Sequence, residues 1–446
     1  MTFLTYGGPC GDRLMIPLPP GHARQFCIKA MQPTEGIMPQ NDVVIVGGGI
    51  LGLTTAWSLR NANPDLRITL LEKEKGPGLH QSGHNSGVIH AGIYYAPGSL
   101  KATLCKQGAA RTKLFCEQHG IPFDTCGKLV VATEPHELPA LENLGERSRA
   151  NGLATTLIGG DELTEMEPNI VGLRALFSPA SGIVSYARIC ATLRDLLAAQ
   201  GVDFRFGAFV TNLDERPDEV VVETSVGDFS ASSAVACAGL QADRIAAMSG
   251  LADDFRIIPF RGEYYRLAPH LDQVVRHLIY PVPEPSLPFL GVHLTRMIGG
   301  YVTVGPNAVF SLGRETYGRS WPGAADIAAS LAFPGFWRLA RRFAKVGLQE
   351  MRGSLSRKVY LERCRRYCPM LTMADLQPYP SGLRAQAVGR DGRMIDDFLI
   401  RETARTLHVC NAPSPAATSA FPIGDTISAR LLGKINVKPA PRAAVS

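Results

Sequence analysis

The chain has 446 residues, enough for two domains of ordinary size, and its 19% charged and 45% hydrophobic residues are typical of a globular protein. No apolar run qualifies as a membrane-spanning helix, because the closest candidate, residues 43–59, contains three consecutive glycines and three hydroxyl side chains. The ten cysteines are scattered, with only Cys364 and Cys368 close together, which disfavours a metal site and predicts reduced thiols in a cytosolic protein.

Residues 1–40 differ from the rest of the chain, since they are rich in Pro and Gly and show little periodicity. Met31 and Met38 lie just upstream of the first predicted strand, and either can be the true start. We expect the residues before them to be an unstructured extension or the product of a misassigned start codon. A targeting peptide is disfavoured, because the segment has neither an Arg- and Ser-rich amphipathic helix nor an apolar core.

A dinucleotide-binding βαβ unit is predicted at residues 42–72. An apolar strand runs directly into the motif Gly47-x-Gly49-x-x-Gly52, and a helical run follows. A second apolar strand then ends in Glu72, twenty residues past the last glycine, where an acid can accept hydrogen bonds from a ribose. Gly47 allows the tight turn, Gly49 lets a pyrophosphate approach the backbone, and Gly52 lets helix and strand pack closely. The N–H groups of the helix N-terminus suit the phosphates. The motif alone does not separate NAD from FAD.

Periodicity predicts the elements that follow. Helical spacing indicates helices at residues 100–120, 136–151, 186–200 and 418–432. Alternating or β-branched runs indicate strands at residues 128–133, 202–210, 220–223, 234–239, 260–267, 278–280, 289–294, 301–304 and 407–410. Pro and Gly punctuate the strands between residues 260 and 304, which suggests an antiparallel sheet there.

Nucleotide-binding character therefore lies at both ends and in the middle of the chain, with sheet-rich segments between. We predict an α/β fold in which a Rossmann-like cofactor domain is discontinuous and an antiparallel-sheet α+β substrate domain is inserted in pieces. The cofactor domain comprises residues 41–100, 180–255 and 378–434. The substrate domain comprises residues 101–179 and 256–377.

A basic segment at residues 336–370 holds ten Arg or Lys against Glu350 and Glu362, so that it carries more than the +6 net charge of the whole chain. Apolar residues recur in it at roughly helical spacing. Two interpretations fit this pattern: a basic amphipathic helix on an anionic membrane surface, or a helix packed on its own domain with a solvated basic face. No nucleic-acid recognition motif accompanies the charge, which disfavours nucleic acid as a partner.

The loop after Glu72 is rich in Gly, Ser and Asn and carries His80, His84 and His90, a composition that suits a backbone wrapped closely around a cofactor. With this loop included, the chain resembles the L-2-hydroxyglutarate dehydrogenase/oxidase family, within the glycine/D-amino-acid-oxidase superfamily of FAD enzymes. The resemblance covers residues 41–434, and the most specific blocks are HQSGHNSGVIHAGIYY at 80–95 and NAPSPAAT at 411–418. Further matching blocks lie at residues 261–265, 279–283, 288–293, 304–309, 382–386, 391–392 and 396–398.

The resemblance implies FAD as cofactor and oxidation of (S)-2-hydroxyglutarate to 2-oxoglutarate, with hydride transfer from C2 to flavin N5. A dianionic dicarboxylate substrate needs cationic donors, and the planar guanidinium of arginine matches a carboxylate. Arg384, in a Gly-Leu-Arg sequence where the superfamily often sets a substrate-facing arginine, and Arg261 are the candidates, with Arg296 a weaker choice. A salt bridge at the surface or between domains is the alternative role for each.

The substrate hydroxyl must also lose a proton, and an imidazole titrates close to working pH. His90 and His293 are the candidates for this base. Related enzymes place a histidine beside the flavin ring at the position of His90, so His90 is either the base or a flavin contact, by hydrogen bond or covalent bond. His293 is either the base or a core histidine.

The remaining predicted site residues contact the cofactor. His80 and His84 are expected mainly to order the loop, Tyr94 and Tyr95 to line the pocket or to pack, and the N–H groups near Ser414 to face flavin O2 and stabilise charge at N1. The predicted cofactor contacts are Gly47, Gly49, Gly52, Glu72, Ser82, His84, Asn85, Ser86, Val210, Gly239, Ser414, Pro415 and Ala416.

Rival functions stay open at this point: an amino-acid oxidase, a glycerol-3-phosphate dehydrogenase, an NAD-linked dehydrogenase, or a flavoprotein without catalytic activity. The electron acceptor is also open, with oxygen, a quinone or another carrier as candidates. We expect a cytoplasmic protein, with peripheral contact at the inner face of the membrane if the basic segment binds lipid.

Overall fold

The computed structural model of the protein describes residues 40–284, 291–311, 313–317 and 323–435. The predicted N-terminal extension, with Met31 and Met38, and the first part of the strand predicted at residues 289–294 lie outside the described residues.

The described chain contains eleven helices, α1 to α11, which contain most of the predicted helical segments. In order they are Ile50–Ala62, Leu100–Gln118, Leu138–Ala150, Gly160–Met166, Tyr186–Ala199, Ala242–Met248, Ala324–Leu331, Pro334–Arg342, Ala344–Leu355, Arg357–Arg365 and Ala420–Ile435.

Twenty strands, β1 to β20, are formed by the same described residues. In order they are Asn41–Val46, Ile68–Glu72, Val88–Ile89, Phe123–Asp124, Lys128–Ala132, Thr156–Gly159, Arg174–Ser178, Gly182–Val184, Asp203–Phe206, Val210–Glu215, Val220–Thr224, Gly227–Ala236, Phe255–Leu267, Leu278–Pro281, His293–Arg296, Val302–Gly305, Val309–Phe310, Leu376–Gly389, Leu399–Glu402 and Thr406–Asn411.

The first sheet is built around five parallel strands in the order β9-β2-β1-β12-β20. The antiparallel pair β10-β11 extends β12, and β19 pairs antiparallel with β20. Strand β1 alternates its apolar side chains between two cores. Val43 and Ile45 pack with α1, α5 and α11 on one face, while Val44 and Val46 pack with α6 on the other. A parallel sheet buried on both faces, with β1 at its centre, is the Rossmann-like arrangement.

The second sheet has nine strands and is antiparallel apart from the parallel pair β5-β14. Its longest ladder joins β13 to β18, from Phe255 opposite Gly389 to Leu267 opposite Leu376. A third, three-stranded sheet in the order β3-β8-β4 lies in the same compact unit. The predicted α/β class, with a Rossmann-like sheet and an antiparallel sheet inserted into the chain, is confirmed.

Three local predictions need correction. Residues 202–210 are not one strand, because Gly207 takes a positive φ of 75° and turns the chain between β9 and β10. The basic segment is not one helix but the three helices α8, α9 and α10, which break at Phe343 and at Ser356, whose side chain caps α10. Residues 234–239 end as a strand at Ala236, after which the chain turns into a short 3-10 helix.

The predicted domain boundaries stay a prediction. The segments assigned to the cofactor domain contain every strand of the first sheet. The predicted boundary at residue 378 falls within β18, which pairs along its length with β13 of the second sheet. We therefore expect a domain boundary closer to residue 390. Among the described residues, no helix is long and apolar enough to cross a membrane.

Candidate active site

A cavity of about 1010 Å³ lies between the first and second sheets. Its wall is formed by the turn after β1, the loop at residues 80–95, the end of β12, strands β14, β15 and β18, and the loop at residues 411–418. The carboxyl end of β1 opens into this cavity, which is where parallel α/β sheets bind their ligands.

The glycine-rich turn is fixed by close backbone contacts. Gly47 has a φ of 107°, and a Cβ atom at this position would lie 2.4 Å from the carbonyl oxygen of Cys237. A Cβ at Gly52 would lie 2.0 Å from the carbonyl oxygen of Gly47, so only glycine lets α1 approach the turn so closely. Gly49 lies on the cavity wall as the N-cap of α1, which has no side-chain cap and no acid in its first turn. The helix N-terminus is therefore electrostatically suited to an anion.

Glu72 holds the same turn from β2. One carboxylate oxygen accepts a hydrogen bond from the N–H of Gly48 at 2.7 Å, and the other accepts from the N–H of Glu74 at 2.8 Å. The side chain is buried and lies on the cavity wall beside Gly47 and Gly49. A carboxylate held in this way keeps lone pairs for the hydroxyl groups of a ribose.

The His-rich loop is tied to the helix and to itself. Ser82 Oγ accepts a hydrogen bond from the N–H of Ile50 at 2.9 Å, and Asn85 donates to the carbonyl oxygens of Gln81 and Ser82 while accepting from Gly87. The loop residues predicted to bind the cofactor line the cavity, as do the predicted contacts elsewhere in the chain. These are Ser82, His84, Asn85, Ser86, Val210, Gly239, Ser414, Pro415 and Ala416.

Two loop histidines contact a neighbouring tyrosine. The His84 ring lies 4.3 Å from the ring of Tyr317, and His80 Nδ1 lies 3.1 Å from the Tyr317 hydroxyl. His80 also contacts Glu74. Together with Glu315, these two residues form the one cluster of possible metal ligands among the described residues. The ammonium of Lys73 already bridges the two carboxylates, at 2.5 and 2.9 Å, so a cation occupies the place that a metal would take.

A second part of the cavity gathers His90, His293 and Arg384. The His293 ring stacks on the Tyr280 ring at 3.9 Å with an interplanar angle of 11°, and its Nδ1 lies 2.9 Å from the Thr295 hydroxyl. Burial, reinforced by nearby positive charge, holds the pKa of both histidines well below the ordinary value. Burial also lowers the pKa of the Arg384 guanidinium, which still stays charged because arginine titrates far above neutrality.

The structure brings together most of the predicted site residues but leaves three off the cavity wall. Arg261 contacts Glu263 at 2.9 Å, and Arg296 contacts the carbonyl oxygen of Arg276 at 2.8 Å. Neither arginine is among the described residues that line the cavity, and neither is Gly52, which acts through packing. The geometry therefore favours Arg384, rather than Arg261 or Arg296, as the arginine that would bind a substrate carboxylate.

Sequence reasoning missed three residues near the site. Gln81 accepts a hydrogen bond from the N–H of Ala385 at 2.9 Å and so ties the His-rich loop to β18. Tyr280 lines the cavity, and the buried Lys128 places its ammonium 3.9 Å from the centre of the Tyr280 ring. One signal was available: Lys128 is a charged residue at the start of the strand predicted at residues 128–133, which is otherwise apolar up to Ala132.

Comparison with known proteins agrees with this geometry. A family model described as FAD dependent oxidoreductase matches residues 42–430. The chain belongs to this family. Its relatives include L-2-hydroxyglutarate dehydrogenase of Escherichia coli K12, 51% identical over 391 residues, or 87% of this chain and 93% of the relative. The mitochondrial L-2-hydroxyglutarate dehydrogenase of Homo sapiens is 40% identical over 410 residues, covering 87% and 88% of the two chains.

Solved structures with the same fold include FAD-bound L-alpha-glycerophosphate oxidase from Mycoplasma pneumoniae. It has a TM-score of 0.71 and 23% identity, and the match covers 90% of this chain and 95% of that one. Glycine oxidase from Geobacillus kaustophilus has a TM-score of 0.66 and 19% identity, with 89% and 95% covered. The predicted family and FAD cofactor are confirmed, and the protein is an FAD-dependent oxidoreductase.

The residues present fit FAD. The N-terminus of α1 beside Gly49, which has no acid in its first turn, suits the pyrophosphate, Glu72 suits the ribose, and the loop around Ser414 suits the flavin ring. His90, His293 and Arg384 line the same cavity as these groups.

Proposed function

We propose that the protein oxidises (S)-2-hydroxyglutarate, the L isomer, to 2-oxoglutarate. The observation that carries the proposal is the grouping of Arg384, His90 and His293 in the cavity of a chain 51% identical to a dehydrogenase named for this substrate. A guanidinium in a buried site matches a carboxylate, and a neutral imidazole accepts a hydroxyl proton.

The chemistry follows from these side chains. Arg384 binds a carboxylate of the dianion and fixes the orientation of C2. The hydroxyl proton passes to an imidazole nitrogen of His90 or His293 as the C2–O bond becomes a carbonyl. FAD, held by the glycine turn, Glu72 and the loop around Ser414, would supply the acceptor for the C2 hydrogen and its electron pair. Because both histidines are held neutral at physiological pH, each is in the form that can accept a proton.

The test is anaerobic addition of (S)-2-hydroxyglutarate to the purified holoprotein, with a flavin spectrum taken before and after. We expect the oxidised flavin absorbance to bleach with the (S) isomer and to persist with the (R) isomer, and 2-oxoglutarate to form in equal amount to reduced flavin. An oxidised spectrum after both additions would overturn the proposed function.

A substrate panel separates the rival functions. An amino-acid oxidase would be bleached by an amino acid, and a glycerol-3-phosphate dehydrogenase by the phosphate ester. Five cationic side chains line the described cavity wall: Lys73, Lys101, Arg147, Arg244 and Arg384. Lys73 and Arg244 are already paired with carboxylates, and the planar guanidinium of Arg384 beside the histidines matches a carboxylate. A holoprotein bleached by none of these compounds would support a flavoprotein without catalytic activity.

We further propose that helices α8 and α9 contact an anionic membrane surface, and that a quinone in this membrane accepts the electrons from the reduced protein. These helices expose apolar side chains, with Trp337 57%, Leu348 54% and Leu355 84% accessible. They also carry exposed Arg341, Arg342, Lys345 and Arg352. The apolar residues Phe336 and Leu339 of α8 are buried, so this helix also packs on its own domain. A surface that combines exposed aromatic and aliphatic side chains with basic ones suits lipid headgroups.

Vesicle binding tests this surface. The triple variant Arg341→Glu, Arg342→Glu and Lys345→Glu should lose binding to anionic vesicles and keep its turnover with a soluble dye. Triple reversal at Arg188, Arg205 and Arg216, which lie outside α8 to α10, is the matched control and should still bind. Absence of binding by the unmodified protein, or equal loss in both variants, would refute the membrane contact and leave a soluble acceptor.

A further inference from the structure

Lys128 occupies an unusual place for an ammonium group. It is only 1% exposed and begins β5, whose neighbour β14 carries Tyr280. Its Nζ lies 3.9 Å from the centre of the Tyr280 ring and 5.3 Å from that of Tyr94. His293 stacks on Tyr280 at the same 3.9 Å, so the His293 ring centre and the ammonium are less than about 8 Å apart.

The charge of Lys128 has no acidic counter-ion among the described residues. The structure records no salt bridge or hydrogen bond for its Nζ there, and the contacts it does record are to the aromatic rings. The nearby groups that could carry a negative charge are the thiols of Cys105 and Cys126 and the phenols of Tyr94 and Tyr280. Burial raises the pKa of the two thiols to about 12 and about 11, and it also raises the pKa of both phenols, so all four groups are neutral. A buried cation without a counter-ion is costly, and its field is little screened.

The Lys128 ammonium is charged in the pH range in which an ordinary histidine would become protonated. Burial lowers the pKa of Lys128 to about 7, so the ammonium form is populated below that pH. An ordinary histidine becomes protonated below its pKa of 6.5, which is inside the same range. The cationic form of Lys128 is thus available when protonation would otherwise remove the base.

Both candidate bases feel this charge. Besides burial, Lys128 lowers the pKa of His90, and Lys128, Arg384 and His90 lower that of His293. Tyr280, which separates Lys128 from His293, contributes no charge, because burial raises its pKa far above neutrality. The effect therefore does not depend on which of the two histidines accepts the proton.

We propose that Lys128 is a positioning residue whose buried charge, one tyrosine ring away from His293, keeps the cavity histidines unprotonated so that one of them can accept the substrate's hydroxyl proton. This role rests on the proposed function for its place in the reaction. It does not require Lys128 to touch the substrate. Below about pH 7 it also places a positive charge near the cavity that receives a dianion.

Two variants separate charge from shape. Lys128→Met keeps the length and apolar stem of the side chain and removes the charge, whereas Lys128→Arg keeps the charge and changes the shape. For a charge about 8 Å away at an effective dielectric constant near 20, the acid limb of kcat/KM in Lys128→Met should move up by about 1.5 pH units. Lys128→Arg should keep the limb of the unmodified protein.

A second readout does not need turnover. Ring NMR signals of ¹³C-labelled histidine in the holoprotein should show His90 and His293 titrating at higher pH in Lys128→Met than in the unmodified protein and in Lys128→Arg. His90→Gln and His293→Gln variants assign the two signals, and thermal melting with the flavin absorbance verifies that each variant is folded.

Either of two results would overturn the proposal: unchanged histidine titrations in Lys128→Met, or equal shifts in both Lys128 variants, which would indicate a packing role. If (S)-2-hydroxyglutarate fails to bleach the flavin, the proposed function fails, but the NMR titrations still decide whether Lys128 controls the protonation of the histidines.

Discussion

The two parts of the cavity are built by different means. The part around the glycine turn is made largely of backbone: close carbonyl contacts at Gly47 and Gly52, the start of α1 at Gly49, and the carboxylate of Glu72 bonded to peptide N–H groups. The part around His293 is made of buried side chains, with His293, Arg384 and the nearby Lys128 placed on three different strands of the second sheet.

This difference separates binding from chemistry. Binding a dinucleotide requires a turn of the right shape with free backbone N–H groups, and one contiguous segment supplies both. Enzymes that act on different substrates can therefore use the same kind of turn. Substrate specificity and proton transfer depend on buried ionisable side chains, and the pKa of each such side chain depends on its surroundings. We therefore expect changes in the first part to remove the cofactor and changes in the second part to alter specificity and pH dependence.

The largest effect is expected at Gly52. In Gly52→Ala the new Cβ would lie 2.0 Å from the carbonyl oxygen of Gly47, so α1 must move away from the turn. Overpacking of this kind costs about 3 kcal/mol, at the upper end of its usual range, because the neighbouring atom is backbone. We expect a protein without bound flavin, measured as the ratio of flavin absorbance to protein.

Gly76→Ala is the matched control, because no atom lies within 4 Å of a Cβ at that position. It should keep a full complement of flavin. If Gly52→Ala is as yellow as the control, the backbone cradle does not determine cofactor binding.

The sequence was sufficient for the cradle because its parts are contiguous. A strand, three glycines, a helix and an acid within residues 42–72 follow a fixed order, and each residue type answers a local demand. The class of fold followed from the same motif and from alternation in the later strands. The break of the basic segment at Phe343 and Ser356 did not, because helical periodicity continues through both positions, although the capping hydroxyl of Ser356 was a local signal for the start of α10.

A second effect, smaller and confined to substrate, is expected at Arg384. Loss of a charge-assisted hydrogen bond costs about 1.5–3 kcal/mol, so Arg384→Ala should raise KM for (S)-2-hydroxyglutarate by about 10- to 100-fold. KM for (S)-2-hydroxypentanoate, which has a methyl group in place of the distal carboxylate, should change far less. Steady-state kinetics with a soluble dye measure both.

Arg261→Ala provides the comparison, since Arg261 contacts Glu263 and lies off the cavity wall. It should affect the two substrates equally. If Arg384→Ala raises KM equally for the two substrates, Arg384 does not bind the distal carboxylate. It would then bind the proximal carboxylate or contribute only to packing.

The substrate part of the cavity was only partly predictable. His90, His293 and Arg384 were identified from residue type and resemblance, and all three line one cavity. Lys128 and Tyr280 were missed, because their importance comes from a cross-strand arrangement that joins positions distant in sequence. Arg261 and Arg384 could not be ranked from sequence, since both are arginines on strands and only the fold decides which one faces the cavity.

The smallest effect concerns a buried histidine away from the cavity. His408 in β20 is 1% exposed, with its Nε2 2.9 Å from the Thr406 hydroxyl, and burial lowers its pKa to about 4. As pH falls below 6.5, the unfolded chain takes up a proton that the folded chain does not, so stability falls until the folded pKa near 4 is reached. We expect this group to account for about 3 kcal/mol of lost stability across that window.

Urea unfolding of the unmodified protein and of His408→Gln at pH 7 and near pH 4 measures this contribution. The gap in unfolding free energy between the two proteins should narrow by about 3 kcal/mol towards the acid side, because the variant has no imidazole to protonate. Turnover should be the same in both, since His408 is not among the described residues of the cavity wall. Parallel loss of stability in the two proteins would show that this histidine is not the titrating group. A changed pH profile of kcat/KM in His408→Gln would show that a histidine outside the cavity also affects the pH dependence of catalysis.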